Sequence, residues 1–387
     1  MKIGILTFHN GTNYGGFLQC FAMYRFLKDI GHNVSVIDFS STQRRSFLKQ
    51  NFDRILSVSS ISDITDIFYA FLKKRPPAKL TMTEEEQEQA ALLFSQARKN
   101  SLHLTGAVTE TTIGVIAKQF DAIIIGSDQV WADIHEKQAV YLGEWRPAFS
   151  GRLLAYAACS PLKKIQRPYL KRNRKLLAGF AGISVRDQHT ADIFENAYNI
   201  RYPVVADPTL LFRKWDEVAE PVRRNEKYIL FYIIRQELEG TLENATARLK
   251  KLYPGCRILT VLTTETKLDR NAAYIDEFVI PNPFQWVSLI RHAACVLTDS
   301  YHCALFSLQF SVPFFSYYRE KDYGKYRFLE LRNRFHLSDP FITSSEMIQK
   351  AGSRFADTSY LADFIDLSRK FLTDSLNKEY RSAIDVA

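Results

Sequence analysis

Residues 2–39, "KIGILTFHNGTNYGGFLQCFAMYRFLKDIGHNVSVIDF", give the clearest indication of the fold class. "IGILTF" (3–8) predicts a buried strand and "NVSVIDF" (33–39) a second one, with a Gly-rich loop (9–16) after the first. Between them, the apolar residues of 17–30 recur at three- and four-residue spacing, which predicts a helix. Strand, helix and strand of this length predict a right-handed parallel crossover.

The same alternation of strands and helices continues along the chain. Strand-like runs follow one another between 120 and 212, and a second series begins at 228. The chain has 387 residues, more than one domain of about 100–200 residues holds. We therefore predict an α/β protein of two Rossmann-like domains that face a cleft. Its predicted parts are an N-terminal domain (1–212) with a helical insertion (40–110), a C-terminal domain (213–345) and a C-terminal helical extension (346–387).

Composition excludes several classes of protein. The longest apolar runs, such as "DAIIIG" (121–126), are far shorter than the ~18–20 residues of a membrane helix. The apolar N-terminus runs straight into the Gly-rich loop, so we interpret it as a strand and not as a signal peptide. Five scattered cysteines without a CxxC pair predict a reducing, cytoplasmic location and no metal site.

The net charge of +9 indicates an anionic partner. Nucleic acid, an anionic membrane surface and a phosphorylated substrate all fit, as does a basic surface without a specific partner. The basic residues form no dense stripe and no nucleic-acid motif is present, so we expect no nucleic-acid binding.

The ends of the predicted strands carry the candidate site residues, because parallel sheets bind ligands at the carboxyl ends of their strands. In "HNGTNYGG" (9–16), Gly11, Gly15 and Gly16 would bring backbone N–H groups to a ligand at a helix N-terminus. The loop matches neither a dinucleotide-binding nor a P-loop pattern. A tight turn that requires glycine is the alternative.

The predicted strand "AIII" (122–125) is followed by "GSDQVW" (126–131). Ser127, Asp128 and Gln129 offer hydrogen-bonding groups beside the indole of Trp131, an arrangement that suits a sugar. The alternative is a helix N-cap by Ser127 or Asp128 with Trp131 in the core.

Two further strand ends carry cationic or titratable groups. Arg186 follows "GISV" directly and could hold a carboxylate or phosphate by two parallel hydrogen bonds, unless it pairs with a nearby acid such as Asp187. In "TDSYH" (298–302), Asp299 or Ser300 could cap the next helix and leave His302 at its start. There a bound phosphate would favour the protonated imidazole. A buried histidine with its hydrogen bonds satisfied is the alternative.

Together, and in this order, these segments resemble the polysaccharide pyruvyl transferase family. The resemblance covers 1 to about 335 apart from the insertion, and "GSDQVW" and "TDSYH" are its most specific motifs. The segments that carry it are "NYGGFLQCFAMYRFLKDIGHNVSVIDF", "FDAIIIGSDQVW", "LAYAACS", "ISVRD", "VVADPTLLF" and "VLTDSYHCALFSLQFSVPF".

The resemblance implies a GT-B-like glycosyltransferase architecture and the transfer of the three-carbon unit of phosphoenolpyruvate to two hydroxyls of a sugar, with release of phosphate and without a cofactor or metal. The donor would meet the C-terminal domain, and its binding residues would be Arg186, Ser300, His302 and Lys321 or Lys325. The catalytic residues would be His302, Arg186, Asp128 and Asp299. The acceptor would meet the N-terminal domain at Asn13, Tyr14, Gly15, Gly16, Ser127, Asp128, Gln129 and Trp131.

The implied acceptor is a lipid-linked sugar in capsule, exopolysaccharide or cell-wall precursor synthesis. The positive charge then suggests peripheral contact with the inner face of the plasma membrane. Two alternatives stay open: a GT-B glycosyltransferase with a nucleotide-sugar donor, and a non-catalytic glycan- or lipid-carrier-binding protein.

Overall fold

Two parallel β-sheets form the framework of the protein, and helices cover both faces of each. The computed structural model describes residues 1–42, 81–135, 139–222, 224–234, 239–266, 268–318, 324–337, 340–348 and 359–377. The predicted donor residue Lys321 and much of the predicted insertion lie outside these residues.

The first sheet has five strands in the order β2-β1-β3-β4-β5. Ile3 of β1 pairs with Val34 on one side and with Ala122 on the other, all in parallel. The central strands are buried on both faces, which explains their unbroken apolar runs. The strands are β1 (Lys2–Leu6), β2 (Asn33–Val36), β3 (Ala122–Ile125), β4 (Arg152–Ala158) and β5 (Gly182–Val185).

The second sheet has six parallel strands in the order β11-β10-β9-β6-β7-β8. These are β6 (Tyr228–Tyr232), β7 (Arg257–Val261), β8 (Glu277–Val279), β9 (Cys295–Thr298), β10 (Phe314–Tyr317) and β11 (Phe341–Ile342). In both sheets the strand order reverses direction beside the first strand, as in doubly wound folds. The predicted pair of Rossmann-like domains is confirmed.

Twelve α-helices lie in the described part of the chain. They are α1 (Tyr14–Asp29), α2 (Glu84–Ser101), α3 (Ile113–Ala117), α4 (Arg167–Leu177), α5 (Gln188–Tyr198), α6 (Pro208–Leu211), α7 (Trp215–Val218), α8 (Glu239–Leu252), α9 (Pro283–Arg291), α10 (Tyr301–Gln309), α11 (Gly324–Arg334) and α12 (Ser359–Leu376). None of the helices in these described ranges is long and apolar enough to cross a membrane.

Helix α1 begins at Tyr14, three residues earlier than the spacing of apolar residues predicts. Asn13 caps it by accepting a hydrogen bond at Oδ1 from the backbone N–H of Gly16, at 2.9 Å. Between Tyr14 and Leu27 every residue except Arg25 is buried. A helix that is buried all round lies between two layers, and here those layers belong to the two domains.

An aromatic seam joins the domains beside α1. It consists of Tyr14, Phe94, Phe284 and Trp286. Tyr14 stacks on Trp286 of α9 with ring centroids 5.2 Å apart and meets Phe94 of α2 edge to face at 4.8 Å. The Tyr14 hydroxyl also donates a hydrogen bond to the carbonyl of Pro281, at 2.7 Å. The seam therefore fixes the two domains against each other on this side of the cleft.

Two segments cross from one domain to the other. The described end of the insertion contacts the C-terminal domain, since the Thr81 hydroxyl donates to the carbonyl of Leu268 at 3.0 Å. Helix α12 returns to the first domain, where Ser368 Oγ accepts a hydrogen bond from the backbone N–H of Ala206 at 2.8 Å.

Candidate active site

The four strand ends singled out in the sequence meet in one place, at the carboxyl edges of the two sheets. Arg186 follows β5, and Nη1 of its guanidinium lies 3.4 Å from Oδ1 of Asp128, which follows β3. The same guanidinium stacks over the ring of Tyr301, the first residue of α10, at 4.7 Å. Next to Tyr301 in the sequence, His302 lies against Gly15 of α1. The site is therefore built from both domains.

The two terminal nitrogens of Arg186 contact three side chains. Nη1 donates to Asp207 Oδ2 at 3.1 Å as well as to Asp128, and Nη2 lies 3.0 Å from the sulfur of Cys159. Burial would lower the pKa of Arg186, but Cys159 and the two carboxylates raise it well above its usual value, so the guanidinium is charged. Burial raises the pKa of the Cys159 thiol despite this neighbouring charge.

Asp207 is the residue at which the two domains converge, and the sequence analysis missed it. Its Oδ2 lies 3.1 Å from Arg186 Nη1, 3.3 Å from Ser127 Oγ and 3.4 Å from His302 Nε2. Its Oδ1 caps α6 by accepting from the backbone N–H and the hydroxyl of Thr209.

The charge of this carboxylate follows from its neighbours. Burial alone would raise the pKa of Asp207, but the charge and contact of His302, the charge of Arg186 and the Thr209 N–H lower it well below its usual range. The side chain is fully buried and ionised. Asp207 thus supplies the counter-charge of Arg186 and lies beside the imidazole of His302.

His302 depends on a glycine across the cleft. A Cβ atom on Gly15 would lie 2.1 Å from Nδ1 of His302, so only glycine leaves room for the imidazole. His302 is buried, and its Nε2 makes no conventional hydrogen bond within the described residues, although Asp207 is at ion-pair distance. Nε of the buried Arg186 likewise has no hydrogen-bond partner in the described part of the chain. Two buried nitrogens of the site thus lack a conventional hydrogen-bond partner among the described residues.

Ser300 and Asp299 act on the backbone around His302. Ser300 caps α10 by accepting at Oγ from the backbone N–H of Cys303, at 3.4 Å. Asp299 is buried and accepts at Oδ1 from the N–H of Ile234 beyond β6, at 2.9 Å. The predicted cap belongs to Ser300, and Asp299 fixes the neighbouring strand end.

Several residues predicted to bind the acceptor are enclosed, and here the structure corrects the sequence analysis. Trp131 is fully buried, packs on Phe194 at 4.8 Å and donates through Nε1 to the Tyr141 carbonyl, so its ring offers no sugar platform. Ser127 Oγ donates to the Ala157 carbonyl at 2.9 Å.

The residues of the glycine loop also make more contacts within the protein than the sequence predicts. Tyr14 belongs to the aromatic seam, and the Gly16 N–H is taken by Asn13. The space beside Gly15 is filled by the imidazole of His302. Asn13 is exposed, and Asp128 and Gln129 are partly exposed, so these three retain access to solvent.

A second arginine lies beside Tyr301. Arg327 of α11 stacks on the Tyr301 ring at 5.8 Å, on which Arg186 also stacks. Lys325, predicted as a donor ligand, lies at the start of the same helix with its ammonium over the Tyr326 ring at 5.4 Å. The basic character of this helix start was visible in the sequence, but the position of Arg327 was not, because it depends on how α11 packs. No group of metal-ligating side chains occurs among the described residues.

Comparison with solved structures finds distant likenesses over almost the whole chain. The UDP-GlcNAc 2-epimerase from Neisseria meningitidis is 12% identical, with a TM-score of 0.46, over 98% of this chain and 100% of that one. The UDP-GlcNAc 2-epimerase from Methanocaldococcus jannaschii is 14% identical, with a TM-score of 0.42, over 98% and 94%. The O-GlcNAc transferase of Thermobaculum terrenum is 11% identical, with a TM-score of 0.40, over 97% and 64%.

Comparison with protein families gives a more specific result. No curated protein matches the sequence. The sequence model of the family described as "Polysaccharide pyruvyl transferase" matches residues 13–321, which include Arg186, Asp207 and His302. The match spans most of the chain and begins at the cap of α1. The chain therefore belongs to the polysaccharide pyruvyl transferase family.

Proposed function

We propose that the protein transfers the enolpyruvyl unit of phosphoenolpyruvate to two hydroxyls of one sugar, forming a cyclic pyruvate ketal. The observation that carries the proposal is the buried pair Arg186 and His302, each with a nitrogen that makes no conventional hydrogen bond within the described residues. Phosphoenolpyruvate has a carboxylate and a phosphate, whose oxygens suit these two donors.

In the proposed reaction, a proton is added to the methylene carbon of the donor and a cationic centre forms at its second carbon. The first sugar hydroxyl attacks that carbon and loses its proton. The bond from this carbon to the phosphate oxygen then breaks, and the second hydroxyl attacks and loses its proton. One proton thus ends in the new methyl group and the other on the released phosphate.

We assign three roles to the described residues. Arg186 binds an anionic group of the donor, and His302 donates a proton to the departing phosphate or holds it. Asp128 is better placed than Asp299 to accept a hydroxyl proton, since its side chain is partly exposed while Asp299 is buried on a backbone N–H. Asp207 contacts both Arg186 and His302 and so positions the two residues that bind the donor.

The acceptor that we propose is a lipid-linked sugar of a surface polysaccharide or cell-wall precursor. Because Trp131 is enclosed, we place the acceptor beside the partly exposed Asp128 and Gln129. This places acceptor recognition on the N-terminal domain and donor recognition between the domains.

The test is phosphate release from phosphoenolpyruvate with a panel of lipid-linked glycans. We expect Arg186→Ala and His302→Ala each to lower the rate at least about 100-fold, the scale of general acid–base and electrostatic contributions. Arg201→Ala, which removes an exposed arginine paired with Glu195, is the matched control and should retain the rate. Consumption of a nucleotide-sugar without phosphate release from phosphoenolpyruvate would instead establish a glycosyltransferase.

A further inference from the structure

One segment of the N-terminal domain is strongly basic. Residues 163–175, "KKIQRPYLKRNRK", contain seven lysines and arginines and no acidic residue. We call this the basic segment; it comprises the approach to α4 and most of that helix. The sequence analysis, which saw no dense basic stripe, is corrected here. Apolar residues interrupt the basic segment in the sequence. In the folded helix these apolar residues point inward, and most of the basic side chains form one exposed face.

The fold turns the basic segment into a charged face. Leu177 and Asn173 are buried, and Leu170 and Leu176 pack against the core of the N-terminal domain. Arg172 points inward and donates to the carbonyl of Ile134 at 2.7 Å. Six basic side chains are exposed: Lys163, Lys164, Arg167, Lys171, Arg174 and Lys175.

Three of these cations lie where positive charge disfavours the helix, two just before α4 and one at its first residue. Lys163, Lys164 and Arg167 lie at the N-terminus of α4, whose first turn contains no acidic residue. Positive charge there is unfavourable, because the helix dipole places its positive end at the same point. The stability of α4 therefore does not account for the charges of Lys164 and Arg167, which suit an external anion.

The basic segment begins at the edge of the active site. It follows β4 and Cys159, which contacts Arg186. Just before it, the carbonyl of Leu162 accepts a hydrogen bond from Nε2 of His189, at 2.9 Å. The ring of His189 stacks on Tyr326 of α11 across the cleft, at 4.6 Å. The charged face thus starts where the two domains meet.

We propose that the basic segment docks the protein on a membrane surface of anionic phospholipids, so that a lipid-linked acceptor reaches the cleft directly from the bilayer. This inference rests on the proposed function for the nature of the acceptor, and on charge complementarity for the surface. The adjacent helix α5 carries two acidic residues, Asp192 and Glu195. Glu195 pairs with Arg201, so Asp192 is the opposing charge that α5 presents against the seven basic residues of the segment.

The chemistry of the segment favours a membrane over a nucleic acid. Single strands bind where aromatic rings stack on bases. Tyr169 is the aromatic residue of the basic segment, and its ring is covered by His135 at 4.8 Å and by the Arg172 guanidinium at 5.2 Å. The exposed face offers charges without a stacking surface.

The test is co-sedimentation of the full chain with vesicles of phosphatidylcholine alone or mixed with phosphatidylglycerol. The segment variant carries Lys163→Glu, Lys164→Glu and Arg167→Glu, which should not destabilise α4 because acidic residues suit a helix N-terminus. The control variant makes the same charge change at exposed lysines elsewhere. Its substitutions are Lys118→Glu, Lys227→Glu and Lys251→Glu.

We expect binding to the anionic vesicles only, weakened by salt, and lowered about 100-fold or more in the segment variant but less in the control. Equal binding to neutral vesicles, or equal losses in both variants, would overturn the proposal. So would a segment variant that loses binding to single-stranded RNA while vesicle binding stays unchanged.

The same variants separate this inference from the proposed function. With a short, water-soluble acceptor, phosphate release from phosphoenolpyruvate should be unchanged in the segment variant. A protein that binds anionic vesicles through the basic segment, but releases no phosphate with any acceptor, would contradict the proposed function and retain the docking surface.

Discussion

Replacing Asp207 by asparagine should be among the most destabilising single-atom changes in this protein. The carboxylate is fully buried, and its Oδ2 atom lies 3.1–3.4 Å from side-chain atoms of Arg186, Ser127 and His302. Its other oxygen is fixed by the N–H and hydroxyl of Thr209. The amide oxygen of asparagine will therefore keep the Thr209 bonds, which turns its NH₂ group toward Arg186.

The loss of unfolding free energy in Asp207→Asn follows from that orientation of the amide. A donor then faces a buried guanidinium, and the negative charge that balances Arg186 is reduced to that of Asp128, which is partly exposed. Removal of one partner from a buried ion pair costs about 3–5 kcal/mol. An exposed pair such as Arg201 with Glu195 contributes about 0–1 kcal/mol, so Glu195→Gln is the matched change of carboxylate to amide.

Urea unfolding at pH 7, followed by tryptophan fluorescence, measures both variants. With a urea dependence of about 3 kcal/mol/M, Asp207→Asn should lower the midpoint by about 1 M or more, and Glu195→Gln by a few tenths. If Asp207→Asn shifts the midpoint no more than Glu195→Gln does, Asp207 is not the counter-charge of the site and the argument fails.

Three further predictions concern the cleft. Gly15→Ala should lower phosphate release at least about 100-fold, because its Cβ would lie 2.1 Å from Nδ1 of His302 and must displace the ring. Gly16→Ala, whose Cβ meets nothing nearer than 3.7 Å, is the control, and similar rates in the two variants would contradict the assignment. Tyr14→Phe removes a buried hydrogen bond between the domains and should lower the free energy of unfolding by about 1–3 kcal/mol, again measured in urea; an unchanged midpoint would show that the bond contributes nothing. Because the pKa of Asp207 is held below its usual range, its contribution to stability is present above about pH 4 and is lost as the pH falls further. The difference in unfolding free energy between wild type and Asp207→Asn should thus be constant above about pH 5 and shrink on acidification, and a difference that grows there would exclude this origin.

The sequence predicted those features that depend on neighbours along the chain. The strand–helix–strand unit of residues 2–39 follows from the spacing of apolar residues, and the structure contains it with small changes at the helix start. The position of Arg186 at a strand end followed from the buried run before it. Local periodicity determined these elements, because each is stabilised by its own apolar pattern.

The rest depended on segments that are distant in sequence. Asp207 lies in an Asp-Pro turn, and its importance comes from Ser127, Arg186 and His302, which belong to three other segments. Trp131 looked like a sugar platform because Phe194, on which it packs, is far away along the chain. Burial and pairing of this kind depend on the assembled fold, and the local spacing of apolar and polar residues does not predict them.

The aromatic seam has a consequence for the protein as a whole. One continuous apolar cluster contains Leu18 of α1, Trp286 of α9 and Val296 of β9, and so runs through both domains. Domains of one chain commonly meet over modest, rather polar surfaces and move relative to each other. Here the two domains share one apolar core, so neither is an independent module. A chimera that joins one domain to the other domain of a relative would have mismatched residues in this core. Such an exchange therefore requires that the core residues of both domains be exchanged together.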